Sequence, residues 1–351
     1  MLGRGRSSRR PPAGPGVALH GAGLMASVHG VAAAELGLRI TTVASRTRTR
    51  AEELAARFGA RVVEPGEIPD PDSIVVVATP PADHATAALR YLDAGAAVVV
   101  EKPLCRTLAE ADALVEASDR HEGRLLYAEN LAYGPLVVEF LRRARAIDRI
   151  TYLEARCLQG RPTWGEFLTA EWGGGALFDL GVHPLALILL ASTEDPVWVE
   201  ARLEGADDHP TDEWAEVVLG FASGARARLI SSWRHDADAV WDLQAVGEHD
   251  VVRGELRPAS QLVHNGEDVA VPTGPARPTE LTLLHEAGYV GQLAAFLDDL
   301  AARRPPVTDA RFGRRVLEVV HAAYRSAGLG RRVALPFDGP RDRTPLAQWR
   351  N

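Results

Sequence analysis

Residues 16–36 read GVALHGAGLMASVHGVAAAEL, and the fold turns on how that stretch is divided. The run 16–19 is short and apolar, 26–36 is rich in alanine, and between them lies Gly21-Ala22-Gly23-Leu24-Met25-Ala26, a GxGxxA turn. A strand that feeds a helix through such a turn brings backbone N–H groups close to a pyrophosphate, and the helix N-terminus stabilises the anion through its dipole. Gly21, Gly23, Leu24 and Met25 are therefore candidate cofactor contacts. The apolar runs that follow, LRITTVA (38–44), SIVVVATP (73–80) and AAVVVE (96–101), are nearly continuous rather than alternating. Strands buried on both faces of a parallel sheet read this way. Between them, the stretches 48–59 and 82–95 are helical in pattern and close on Gly59 and Gly95. Strand-helix alternation of this kind implies right-handed crossovers and a doubly wound parallel sheet, a Rossmann dinucleotide-binding domain over 16–130.

The end of the second strand bears on the cofactor. In NAD-binding sheets an Asp or Glu about 20 residues beyond the glycines takes the ribose hydroxyls. Here the strand runs into Ser45-Arg46. A hydroxyl followed by a guanidinium suits a 2'-phosphate, so NADP is favoured, with NAD as the other possibility. Arg48 and Arg50 in the same run read as a solvated helix start.

A chain of 351 residues with 46% hydrophobic and 25% charged residues is globular and long enough for two domains. The formal net charge of -8 gives no electrostatic basis for binding nucleic acid. Cys105 and Cys157 are the only cysteines, too few for a disulfide framework or a cysteine metal site, and they fit a reducing cytoplasm. No metal-ligand spacing is present, and HEAGY at 285–289 lacks the second histidine of HExxH. No run approaches the roughly 18–20 apolar residues that span a bilayer, so a soluble protein is expected. Residues 1–15 are expected to be a disordered extension. Arg9 and Arg10 there suggest an export signal, but the following stretch is broken by His20, Gly21, Gly23 and His29 and serves better as the first strand and turn.

Four motifs in order carry a resemblance: GAGLMASVH (21–29), ATPPADHATAALRYLDAGAAVVVEKPLCRT (78–107), GGGALFDLGVHPL (173–185) and AAYRSAGLGRRVALP (322–336). The chain resembles the Gfo/Idh/MocA oxidoreductases over residues 16–336. The resemblance implies that Lys102, within Glu101-Lys102-Pro103, lies beside the nicotinamide, with a cis peptide before Pro103. It also implies that Thr79, Pro80, Pro81 and His84 form the neighbouring loop, His84 serving equally well as a structural hydrogen-bonder. Lys102 is the only lysine in the chain. An ammonium is compact and its pKa responds to a partly dry site, whereas Arg is a wide fork that stays protonated.

The resemblance further implies that Asp179 and His183 complete the catalytic group. His183 would be the general acid or base and Asp179 would orient its imidazole or share its charge. Gly181 and Pro184 argue against one continuous helix there and for a turn entering the helix 184–192. Short, partly alternating strands at 150–158, 197–205, 213–221, 225–233 and 240–247 follow. They fit the family's C-terminal α+β domain, 131–336, with an open-faced, mainly antiparallel sheet whose outer face makes homodimer or homotetramer contacts. Helices in 286–330 are expected to pack back across the junction, and 337–351 to form an unpatterned tail.

Arg161, Trp164 and Trp172 are candidates to line the substrate pocket, with core or interface aromatics as the alternative for the two tryptophans, and Asn130 and Tyr133 are further candidates. Ala186 stands where many relatives carry an acid. The expected activity is hydride transfer between NADP or NAD and a carbonyl or alcohol carbon of a small sugar-like or inositol-like metabolite. The alternatives are a lyase or glycosidase that keeps its nicotinamide as a transient oxidant, and a non-catalytic cofactor-sensing regulator.

Overall fold

The computed structural model describes residues 14–70, 73–271 and 280–350, so nearly all of the expected N-terminal extension lies outside the described residues. The first half runs β1 (Val17–His20), α1 (Leu24–Glu35), β2 (Ile40–Ala44), α2 (Arg48–Phe58), β3 (Arg61–Val63), β4 (Ile74–Val77), α3 (Pro81–Asp93), β5 (Ala97–Glu101), α4 (Leu108–Arg120) and β6 (Leu125–Ala128). The strand order is β3-β2-β1-β4-β5-β6, with every pairing parallel. This is the doubly wound sheet that the apolar runs implied. Its central strands are covered on both faces, and all four residues of β4 are buried. Two strands did not stand out in the sequence. β3 is a three-residue edge strand, and β6 has only four residues, too few to set a period. The sheet order reverses between β1 and β4, and the crevice at the carboxyl ends of these strands is where such sheets take ligands.

The second half continues α5 (Pro135–Ala144), β7 (Ile150–Leu158), α6 (Ala176–Asp179), α7 (Val182–Ala191), β8 (Pro196–Gly205), β9 (Asp212–Phe221), β10 (Arg226–Ser232), β11 (Val240–Gly247), β12 (Val251–Arg257), β13 (Gln261–His264) and β14 (Glu267–Asp268). It closes with α8 (Glu280–Glu286), α9 (Tyr289–Ala302), α10 (Ala310–Leu329), β15 (Val333–Ala334) and α11 (Pro345–Arg350). The sheet order is β14-β13-β12-β11-β7-β10-β9-β8-β15, and only β7 with β10 is parallel. Along β7, Leu153, Ala155 and Cys157 are buried on the face that packs on α7, while Tyr152, Glu154 and Arg156 share the other face. On that outer face charges pair across strands: Arg228 donates to Glu216 at 2.6 Å, and Arg156 pairs with Asp242.

α10 joins the halves. It packs on α4 of the first domain and on α7 and β8 of the second, and it buries Val316, Leu317, Val320 and Tyr324. α9 packs on α1. Residues 337–351 were expected to lack pattern, but α11 lies there and packs on α10, burying Leu346. Six residues are under two helical turns, too short for a period to show in sequence.

Candidate active site

A cleft of about 860 Å³ runs from the glycine turn to the face of the second sheet. At its first-domain end Gly21 has φ +127°, and a Cβ there would lie 2.3 Å from the Ala78 carbonyl oxygen. Close contact between the turn and the loop after β4 excludes any side chain. Gly23 differs, because a Cβ at that position would meet no atom within 4 Å and would project into open space. α1 begins at Gly23 with no side-chain cap and no acid in its first turn, so its leading N–H groups are free for an anion. Thr79, on the same wall, has a buried hydroxyl with no partner among the described residues. A pyrophosphate suits the helix N-terminus, and a nicotinamide amide suits the Thr79 hydroxyl.

Ser45, Arg46, Thr47 and Arg50 line the cleft beyond β2. Arg50 thus belongs to the wall, whereas its sequence context read as solvated helix surface. The Arg46 side chain is 73% exposed and pairs with Asp83 at 3.2 Å. Leu24, Met25 and Pro80 also line the cleft. Pro81 opens α3 and is buried. His84 is buried behind the wall, with Nδ1 2.8 Å from the Pro103 carbonyl and Nε2 2.7 Å from the Thr79 carbonyl. It ties the two cofactor-side loops together, which is the structural alternative. Burial lowers its pKa; a neutral ring can donate to only one of those carbonyls.

The Lys102–Pro103 peptide is cis, as the resemblance implied. Lys102 Nζ donates to Asp179 Oδ1 at 2.8 Å and to the Asp179 carbonyl at 3.0 Å. Two of its three N–H groups are therefore held, and the third is left for a ligand. Burial pulls the ammonium toward neutrality, but the Asp179 carboxylate and the charges of Glu101 and Glu129 outweigh it and raise the pKa above the usual lysine value. Lys102 stays protonated at neutral pH. Glu101, at the end of β5, accepts the Lys102 backbone N–H at 3.0 Å and pairs with buried His29 at 2.7 Å. Burial pushes the Glu101 carboxyl up, yet the His29 hydrogen bond and the neighbouring positive charge bring it below its usual value.

Asp179 was expected to orient His183, and the structure corrects this. α6 ends at Asp179 and α7 begins at Val182, so the two residues sit on separate helices bent by 49°, and Asp179 is turned to Lys102. The expected break at Gly181 is present. His183 instead donates from Nδ1 to Glu129, 2.8 Å from Oε1 and 3.0 Å from Oε2. Both groups are buried. With Nδ1 committed to a carboxylate, Nε2 is the nitrogen left to exchange a proton, the same division of labour as in a Ser-His-Asp triad. Trp241 lies beside the imidazole, ring centroids 5.8 Å apart.

Trp164 and Trp172 line the cleft, with Phe167 between them, 6.4 Å and 4.3 Å from their rings. The other substrate candidates lie elsewhere. Arg161 pairs with Asp208 at 2.8 Å and with Glu213. The Asn130 amide donates to the Ala287 carbonyl at 2.7 Å, and the Tyr133 hydroxyl meets the Thr308 hydroxyl at 2.9 Å. All three link segments of the fold, because each finds a partner far along the chain before it reaches the cleft.

Residues 16–129 match the family model described as "Oxidoreductase family, NAD-binding Rossmann fold", and residues 138–253 match the "GFO/IDH/MocA C-terminal domain". The chain belongs to the Gfo/Idh/MocA family. It is 25% identical over 329 residues to the inositol 2-dehydrogenase of Rhizobium meliloti (strain 1021), covering 90% of this chain and 98% of that one. Over 220 residues it is 33% identical to the dTDP-3,4-didehydro-2,6-dideoxy-alpha-D-glucose 3-reductase of Streptomyces violaceoruber, covering 58% and 61% of the two chains. The crystal structure of GenD2 from gentamicin A biosynthesis in complex with NAD superposes with a TM-score of 0.80 at 26% identity, covering 95% of this chain and 99% of that one.

In this Gfo/Idh/MocA oxidoreductase, Asp212 places the Gly-rich segment. Its buried carboxylate accepts the N–H groups of Gly175 and Leu177, each at 2.9 Å, and the Tyr324 hydroxyl. A Cβ on Gly175 would lie 2.0 Å from the Asp212 carbonyl oxygen, so glycine is required at that contact. The clamp holds α6, and with it Asp179, against Lys102. Neither Asp212 nor Glu129 was among the sequence candidates. Glu129 did leave a signal: it follows the apolar stretch 125–128, one strand over from Glu101.

Proposed function

We propose that the protein transfers a hydride between a nicotinamide and the carbonyl or alcohol carbon of a small sugar-like or cyclitol-like molecule. The observation that carries this reading is the opening of two groups on one cleft: the third N–H of Lys102 and Nε2 of His183. When bound, NAD(P) supplies the hydride acceptor or donor. In the oxidising direction Nε2 of His183 takes the hydroxyl proton, Glu129 stabilises the imidazolium that forms, and Lys102 meets the developing negative charge on the substrate oxygen. Reduction reverses these proton movements. Asp179 holds the ammonium in place and keeps it charged. The relative named for inositol supports a polyhydroxylated substrate. Lys102→Met and His183→Ala are expected to abolish turnover while cofactor binding persists; near-normal rates in both would overturn the assignment.

The reading includes a preference for NADP. It is supported by the absence of a carboxylate at the end of β2 and by Ser45, Arg46 and Arg50 on the wall. Turnover is expected to be faster with NADPH than with NADH, and a clear NADH preference would refute this part. The reading also takes the outer face of the nine-stranded sheet as the surface of a homodimer or homotetramer, supported by partly exposed Trp198 and Trp214 there, which light scattering would test. A cytoplasmic location is supported by two free, buried cysteines.

A further inference from the structure

We infer, resting on the hydride-transfer reading above, that the substrate is a phosphate-free sugar or cyclitol ring and that nucleotide-diphosphate sugars are poor ligands of this site. The distinction matters because relatives of both kinds exist. The part of the cleft wall built after residue 130 includes Gln159, Trp164, Glu166, Phe167, Trp172 and Trp241. Among the described residues of that wall there is no Arg or Lys. The cation that reaches it from the first domain, Lys102, is already bound to Asp179. Binding sites for a diphosphate supply guanidinium forks, ammonium groups or helix N-termini.

The arginines close in sequence to this wall are committed elsewhere. Arg161 pairs with Asp208 and Glu213, and Arg234 pairs with Glu213 at 3.1 Å and Glu204 at 2.8 Å. Arg156 pairs with Asp242, and Arg106 donates to the Glu171 carbonyl at 3.0 Å. The arginines that do line the cleft, Arg46, Arg50 and Arg90, come from the β2–α2 connection, α2 and α3 of the first domain. Cationic recognition is thus concentrated at the cofactor end.

What the wall does offer suits a neutral ring. Indole faces accept the C–H side of a sugar, and the Nε1 atoms of Trp172 and Trp241 are buried with no hydrogen-bond partner among the described residues. Gln159 and Glu166 line the cleft, and among the described residues no side-chain partner holds either, so both face substrate hydroxyls, whereas Glu166 would repel a phosphate. A mostly apolar wall with a few orienting polar groups is the usual form of a small-molecule site.

The test uses NADP-loaded protein and saturation-transfer NMR with D-glucose, myo-inositol, UDP-glucose and dTDP-glucose, alongside absorbance of the reduced nicotinamide. Glucose or inositol is expected to bind at least about tenfold more tightly than either nucleotide sugar. Trp172→Ala is expected to weaken sugar binding about tenfold, with NAD affinity retained. Equal or tighter binding of a nucleotide sugar would overturn the inference and leave hydride transfer standing. If NADP-loaded protein bound neither class, the functional reading itself would fail, and the inference with it.

Discussion

In the proposed hydride transfer, a carboxylate on Nδ1 decides which nitrogen of His183 exchanges the proton, and Glu129 provides it. Glu129→Gln keeps the side-chain size but removes the charge that stabilises the imidazolium. Turnover is expected to fall on the order of 100-fold, with the acid limb of the pH-rate profile displaced to lower pH and cofactor affinity unchanged. Unaltered kcat and pH profile would show that Glu129 is only structural. Lys102 could be read in the sequence because its cue is local: a lone lysine between Glu101 and Pro103 at a strand end. Its pairing could not, since Asp179 lies 77 residues away and Glu129 lies 54 from His183. Gly181 and Pro184 marked the break between α6 and α7, but nothing local showed that it turns Asp179 to Lys102.

The β1–α1 connection was read correctly at the level of its element because two glycines in a short turn carry local steric information. The structure divides their duties. Gly21→Ala puts a methyl group onto the Ala78 carbonyl and forces a side chain into positive φ, so thermal unfolding is expected several degrees lower, consistent with a loss of about 1–3 kcal/mol. Gly23→Ala meets no protein atom, so the melting temperature of the apoprotein should hold while the dissociation constant for NAD rises on the order of tenfold or more. The reverse pattern, in calorimetry and titration, would refute this division. Short elements were the ones missed: β3, β6 and α11 are too brief for periodicity to emerge, and their place is set by the sheet edge or the helix they pack on.

For the molecule as a whole, α10 fastens the two domains, and it carries a titrating group at its core. His321 is fully buried there, and burial holds its pKa down to about 3, against 6.5 when unperturbed. Between those values the unfolded chain binds the proton and the native chain does not. Stability is therefore lost as pH falls from 6.5 toward 3, at about 1.4 kcal/mol per unit from this residue. His321→Leu should give a flatter dependence of the urea midpoint on pH across that window, and an unchanged slope would show that His321 does not couple the fold to pH. The sheet of the second domain carries a different consequence, one of timing. β7 is its first strand to be synthesised and lies near its middle, yet both neighbours come from residues 226–247. On the ribosome the six parallel strands are complete by residue 128, whereas β7 emerges with both edges unpaired and must wait for chain not yet made. That interval, rather than any weakness of the finished protein, is when strand-to-strand association between nascent copies has its opening.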